Sequence, residues 1–288
     1  MFRGCPAEDY AIHTARGVPS EDLAGLGAQS LGLVAGWLAL FYGAAALAGP
    51  LRRVLPPSSA PAENSAYWVA WNLCALVQSS VIPLLGVHAL VSDELLRRPL
   101  GEQLSNQGQL AFAGLLFTTF EVADLLIMSV HDFGLRTLGA HHCVFITLGL
   151  FMRLDCYGAV YAAALMAQEL SNPVLTLACF FHHRGPPAWL VWVLRALFLL
   201  AFGVFRLGLN TWATWRFFEG WGAGFIPDHV PAWRRCVVGG ALVAGAALQW
   251  AWAAMMAAAV ASGRSIDVEL SKNLAQTLEP LRRKRKDE

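Results

Sequence analysis

The sequence predicts an all-α polytopic membrane protein, a bundle of about seven transmembrane helices around an interior polar cavity. Three observations predict this class. Of the 288 residues, 56% are hydrophobic and only 14% are charged, whereas soluble domains carry roughly 25% charged residues. The apolar residues gather into runs long enough to cross a hydrocarbon core of about 30 Å. Inside those runs stand a few ionisable groups: Glu121, Asp124, the pair His141-His142, Glu169 and Arg206. A charge in lipid costs about 2.5–3.5 kcal/mol on insertion scales, so such groups face a bundle interior or a water-filled cavity.

Composition also excludes function classes. The net charge is +1, which makes no case for a nucleic-acid partner. There is no GxGxxG, P-loop, HExxH or CxxC pattern, hence no expected nucleotide or zinc site and no bound cofactor or metal. The cysteines, Cys5, Cys74, Cys143, Cys156, Cys179 and Cys236, are scattered. They show no ligand spacing and no small-domain disulfide framework, and are read as small buried hydrophobes.

Met1 to Leu23 is polar, with a weakly positive start and too long a following apolar run for a typical signal peptide, although Ala46-Leu47-Ala48 has the small residues of a cleavage site. Residues 26–48 form the first span, with Gly32-x-x-x-Gly36 permitting close helix approach. A loop rich in Pro, Ser and Ala covers 50–64. Ala66 to Val91 is the second span, with Trp68 and Trp71 as interfacial anchors and Pro83 placed to kink it. Ser92 to Gln109 is a charged loop. Leu110 to Val130 is the third span, in which Glu121, Asp124 and the following His131 share one face. That face either lines a cavity or lies near a membrane surface.

Leu135 to Met152 is the fourth span, carrying the histidine pair. Cys156 to Phe180 is the fifth, with Tyr157, Tyr161, Gln168 and Asn172 as a polar stripe. Pro173 has no N–H to give the carbonyl of Glu169, so this helix should loosen at Glu169, which lipid tolerates only beside a cavity. His182-His183, flanked by Arg184, Gly185 and two prolines, reads as solvated loop. Ala188 to Phe217 is the sixth span; on it Arg195 and Arg206 share a face, Asn210 follows one turn on, and Arg195 can snorkel to an interface. Val237 to Ser262 is the seventh. The expected organisation is a luminal segment at 1–25, a first transmembrane helix at 26–48, a six-helix domain at 62–262 and a cytosolic basic tail at 263–288.

Adjacent histidines on a helix diverge by about 100°. One should face the cavity while the other packs or hydrogen-bonds between helices. His142 is taken as the reactive one, because it shares a face with Leu138, Phe145 and Gly149. An imidazole there can act as base or nucleophile, or the pair can be packed structure. Glu121 or Glu169 could orient it. Arg206 is suited either to a substrate phosphate or carboxylate or to neutralising Glu121 or Glu169. Asp124, Tyr161, Asn172 and Asn210 complete the expected substrate-binding set with Arg206. In the tail, Lys284 and Lys286 stand fifth and third from the end, the dilysine spacing that retrograde coat proteins read; a basic patch on anionic lipid is the other reading.

Taken in order, Phe120-Glu121, His141-His142, Glu169-Leu170-Ser171-Asn172-Pro173 and Phe205-Arg206 resemble the TLC-domain (Tram–Lag–Cln homology) family, from about Tyr67 to Phe217. The resemblance implies a multi-helix membrane core with the histidine pair at mid-membrane. Two adjacent aspartates expected after the histidines in the ceramide-synthase branch are missing; only Asp155 follows nearby. The chain is more similar to the ceroid-lipofuscinosis branch. That likeness implies an endoplasmic-reticulum protein, a phospholipid or lysophospholipid acyltransferase using acyl-CoA or another lipid as donor. It equally implies a non-catalytic cargo receptor that moves luminal lysosomal enzymes towards the Golgi through the intermediate compartment, or a lipid sensor. Membrane lipids and coat proteins are the expected partners, and a homodimer stays open.

Overall fold

The computed structural model describes residues 20–51, 55–92, 108–133 and 135–262. The first 19 residues, the charged loop at 93–107 and the tail with Lys284 and Lys286 lie outside the described residues. Every regular element among the described residues is helical. The long helices are α1 (Ser20–Leu51), α2 (Ala66–Ser92), α3 (Gly108–His131), α4 (Leu135–Leu154) and α9 (Ala232–Ala261). Between α4 and α9 the helices are interrupted. A short α5 (Ala159–Ala167) runs through a 3-10 turn (Gln168–Ser171) into α6 (Asn172–His182). Next, α7 (Ala188–Ala201) runs through a π-helix (Phe202–Leu209) into α8 (Asn210–Gly222).

Five stretches are long and apolar enough to cross a membrane: Leu23–Leu51, Ala66–Val91, Leu110–His131, Ala188–Gly222 and Ala232–Ala261. Gly139–Leu154 is a shorter apolar helix. The segment expected as one fifth span is instead two helices joined at the 3-10 turn. The break falls where Pro173 dictates: proline occupies the first turn of α6, where its missing N–H costs nothing. The chain is thus a multi-pass helical membrane protein.

The core is organised around α5. Ala159, Val160, Tyr161, Ala163, Ala164, Met166 and Ala167 are buried, so this helix is enclosed on all sides rather than amphipathic. It packs on α2, α3 and α8. Small residues make this enclosure feasible. A Cβ added at Gly86 of α2 would stand 2.6 Å from the carbonyl oxygen of Ala163 and 2.8 Å from the amide of Ala167, so the two backbones meet at that glycine. Helix α1 packs outside, on α2 and α3. Phe41 is fully buried there, within 5.4 Å of the His131 ring, which also stacks on Tyr67 at 4.5 Å. His131 therefore belongs to an aromatic cluster. Gly32 and Gly36 meet no packed atom within 4 Å; the expected close approach at this motif is not formed among the described residues.

One end of the bundle is tied by loops. His183 Nδ1 lies 2.9 Å from Glu63. Arg184 donates to the carbonyls of Pro56 at 2.6 Å and Glu63 at 2.7 Å, and its guanidinium stands 4.7 Å over the Phe180 ring. The loop expected to be solvated is a clasp, because a guanidinium can close several backbone acceptors at once. At another loop, Arg234 donates to Asp155 at 2.6 Å and His229 Nε2 lies 2.9 Å from the Asp155 carbonyl. Burial pushes the Asp155 carboxyl up, against the pull of Arg234. Cys156, next in the chain, has left-handed backbone (φ 51) and is disulfide-bonded. It is a half-cystine, not the small buried hydrophobe expected of it.

Candidate functional site

Two buried polar clusters and a cavity meet where α3, α4, the 3-10 turn and the π-helix converge. The first cluster begins on α3. Glu121 and Asp124, three residues apart, project from one face and are both buried. His142, from α4, lies between them. Its Nδ1 is hydrogen-bonded to Glu121 Oε2, and its Nε2 is 3.3 Å from Asp124 Oδ2. Asp124 is held from the other side by Trp71 of α2, whose indole N–H donates to Oδ1 at 2.6 Å. Both ring nitrogens of His142 thus face carboxylates.

The second cluster uses the broken helices. Arg206 is buried on the π-helix. Its Nε donates to Ser171 Oγ at 2.8 Å, and one terminal nitrogen donates to Asn172 Oδ1 at 2.7 Å and to both oxygens of Glu169 at 3.2 and 3.3 Å. Asn172 in turn donates to Glu169 Oε2. The 3-10 turn makes this possible by bringing Glu169, Ser171 and Asn172 to one side within four residues. The π-helix helps from the other side, since its wider turns change the register between Arg195 and Arg206. Arg206 faces the core, while Arg195 is half-buried with its guanidinium 5.9 Å from the Trp192 ring, so the shared face expected for them is not formed. Glu169 also acts electrostatically on His142 and Glu121. The two clusters together hold three carboxyl groups, one guanidinium and one imidazole. Buried charges are tolerated when paired and hydrogen-bonded in this way.

His141 points elsewhere. It packs on Phe145, with ring centroids 4.6 Å apart, and lines a cavity of about 230 Å³ between α4, the 3-10 turn, α8 and α9. Gln168, Asn210 and Gln249 line the same space, whose other walls are apolar, among them Phe145 and Leu242. The structure therefore splits the expected site residues three ways. His142, Glu121, Asp124, Glu169, Asn172 and Arg206 form the ionised centre; His141 and Asn210 line the cavity. Tyr161 joins neither: its hydroxyl donates to the Arg216 carbonyl at 3.1 Å and its ring packs edge-on against Phe217.

Trp71, Ser171 and Gln249 are site residues that sequence reasoning missed. Trp71 was masked by the interfacial role usual for tryptophan. Gln249 carried a signal, being a polar side chain in an Ala-rich apolar span; the structure buries it. Among the described residues no group of three or more His, Cys, Asp and Glu side chains is placed to hold a metal ion.

These features define a class: a multi-pass α-helical membrane protein with an ionised centre buried at the junction of interrupted helices. The chain belongs to the TLC domain family, whose model matches residues 69–258, and is thereby a lipid-related membrane protein. Neither a curated protein nor a solved structure matches the chain at a significant level.

Proposed function

We propose that the protein is an endoplasmic-reticulum acyltransferase acting on a phospholipid, lysophospholipid or related lipid. The observation that carries this reading is the division of labour in the histidine pair. His141 faces a cavity that could admit a substrate, while His142 is held by Glu121 and Asp124. With both its nitrogens engaged, His142 serves better as a positioning residue than as a nucleophile, so the cavity-facing His141 takes the reactive role. As general base, His141 removes the proton of an acceptor hydroxyl. The oxygen bonds to the carbonyl carbon of the acyl donor, an acyl-CoA thioester or a lipid ester. The carbon–sulfur or carbon–oxygen bond then breaks, and the leaving thiolate or alkoxide takes the proton back from the imidazolium. Arg206 and Glu169 hold the broken helices in register beside this step.

Membership of the TLC domain family, with an order of motifs that resembles its ceroid-lipofuscinosis branch, supports both the compartment and the link to lysosomal lipid. The tail supports retrieval: with Lys284 and Lys286 changed to Ser, the protein is expected in the Golgi, and unchanged residence would refute the signal. A cargo receptor would need no imidazole. The deciding experiment is lipidomics of a null cell line rescued with wild-type protein or with the His141→Gln, His142→Gln double variant. Loss of lipid rescue by a variant of normal abundance supports the enzyme. Full rescue of lipid levels and lysosomal enzyme delivery would sink it.

A further inference from the structure

The cavity beside His141 has a chemistry of its own. None of its lining residues is charged, since the nearby Glu169 and Arg206 are closed on each other and on Asn172. Its polar lining is His141, Gln168, Asn210 and Gln249. Gln168 is 1% exposed and Gln249 is 4% exposed. The side-chain carbonyl oxygens of both are buried and lack a hydrogen-bond partner among the described residues. Buried amides are ordinarily satisfied, and leaving one unsatisfied is costly. Two such amides lining one cavity, from the 3-10 turn and from α9, point to a guest that satisfies them.

The guest's character follows. An amide offers an acceptor at one end and a donor at the other, and a half-turn exchanges them. A hydroxyl donates and accepts, so it matches either orientation. A phosphate or carboxylate would find no counter-charge here and would be desolvated without compensation. The size also limits the guest. About 230 Å³ is below the roughly 300–1,000 Å³ of sites that enclose a drug-sized molecule, so it holds a head and a short length of chain. The remainder has an exit: Val144 of α4 and Ala244 of α9 both line the cavity and are exposed on the surface of the bundle.

We infer that this cavity binds the hydroxyl-bearing head of an uncharged single-chain lipid, such as a monoacylglycerol, which enters sideways from the membrane between α4 and α9. The inference rests on the acyltransferase reading only for what happens next, and narrows its acceptor from the phospholipids to a neutral lipid: the bound hydroxyl lies on the wall that His141 forms and is the acceptor in that reaction.

The test measures capture without turnover. The full chain, in phosphatidylcholine nanodiscs, is photolabelled with a diazirine-bearing monoacylglycerol and competed with monooleoylglycerol, methyl oleate and oleoyl-lysophosphatidic acid. Monooleoylglycerol should compete best. Methyl oleate lacks a donor and lysophosphatidic acid brings a charge, so each should compete at least about tenfold less well. Gln168→Leu and Gln249→Leu should each weaken capture by about tenfold, the scale of one lost hydrogen bond. Their melting temperatures should hold or rise, because each removes an orphaned amide. Gly245→Phe is the second probe, since Gly245 lines the cavity and has no atom within 4 Å of a Cβ position; it should fill the space and abolish capture. Capture that is absent, that survives Gln249→Leu and Gly245→Phe, or that lysophosphatidic acid displaces best overturns the inference. Glutamine-dependent capture together with full rescue by the double histidine variant leaves the inference standing and removes the enzyme. Acyl transfer that is unaffected by Gln249→Leu does the reverse.

Discussion

Replacing Arg206 with Met tests whether the ionised centre is one structural unit. The side chain is buried, and its donors close on Ser171, Asn172 and Glu169 at 2.7–3.3 Å. Methionine keeps much of the length but none of the donors, so Glu169 is left as a buried carboxylate without its counter-charge. Breaking a buried pair from one side costs about 3–5 kcal/mol. For a chain of this size each kcal/mol shifts Tm by roughly 2–4 °C, so a fall of about 6–20 °C is expected. Thermal unfolding of the full chain in detergent, followed by tryptophan fluorescence, reads it. Adding Glu169→Gln to Arg206→Met should recover more than half of the loss, because the stranded charge is gone while the amide can still bond Asn172. A fall under about 2 °C for Arg206→Met, or strict additivity in the double variant, would refute the argument that the two charges depend on each other.

Three further outcomes are expected. Gly86→Ala should destabilise by about 1–3 kcal/mol through backbone overpacking of α2 on α5, whereas Gly43→Ala, with open space at its Cβ position, should leave Tm unchanged; parallel melts decide. Trp71→Phe keeps the stack on Phe133 at 5.3 Å but removes the donor to Asp124. It should cost about 1–3 kcal/mol and, if the proposed acyl transfer holds, lower it more than Trp68→Phe does, read as lipid product per folded protein. Arg184→Lys cannot span the carbonyls of Pro56 and Glu63 as a fork does. It should speed proteolysis near 55–65 while the histidine centre keeps its function.

Most of the fold was legible because lipid restricts the options. Long apolar runs must be helices, and α1, α2, α3 and α9 extend over the expected stretches to within a few residues. The break before Asn172 was legible too, since Pro173 removes one backbone donor at a known position. The π-helix was not. Gly203 and Gly208 are the segment's only helix-weakening residues and do not specify a change of hydrogen-bond register, yet Arg206, which meets Glu169, sits within it. In the site, Glu121, Asp124 and Glu169 announced themselves as carboxylates in apolar runs. What helical spacing could not say is which neighbour each would meet. Tyr161 and Asn172 shared a sequence stripe, yet the 3-10 turn between them sends one to the Arg216 carbonyl and the other to Arg206. His142 and His141 parted as adjacent helical residues must, and tertiary packing alone decided which of them met the carboxylates.

The half-cystine at Cys156 has a consequence for depth. Disulfides persist in oxidising compartments and are rare in the cytosol, which is what the proposed topology, with the turn after α4 on the luminal side, requires. From Leu154 back to His141 is about 20 Å of helix at 1.5 Å per residue. That distance passes the middle of a hydrocarbon core of about 30 Å. On that proposed topology the histidine pair would lie in the half of the bilayer that borders the cytosol, the leaflet from which a water-soluble acyl donor of the proposed reaction would arrive.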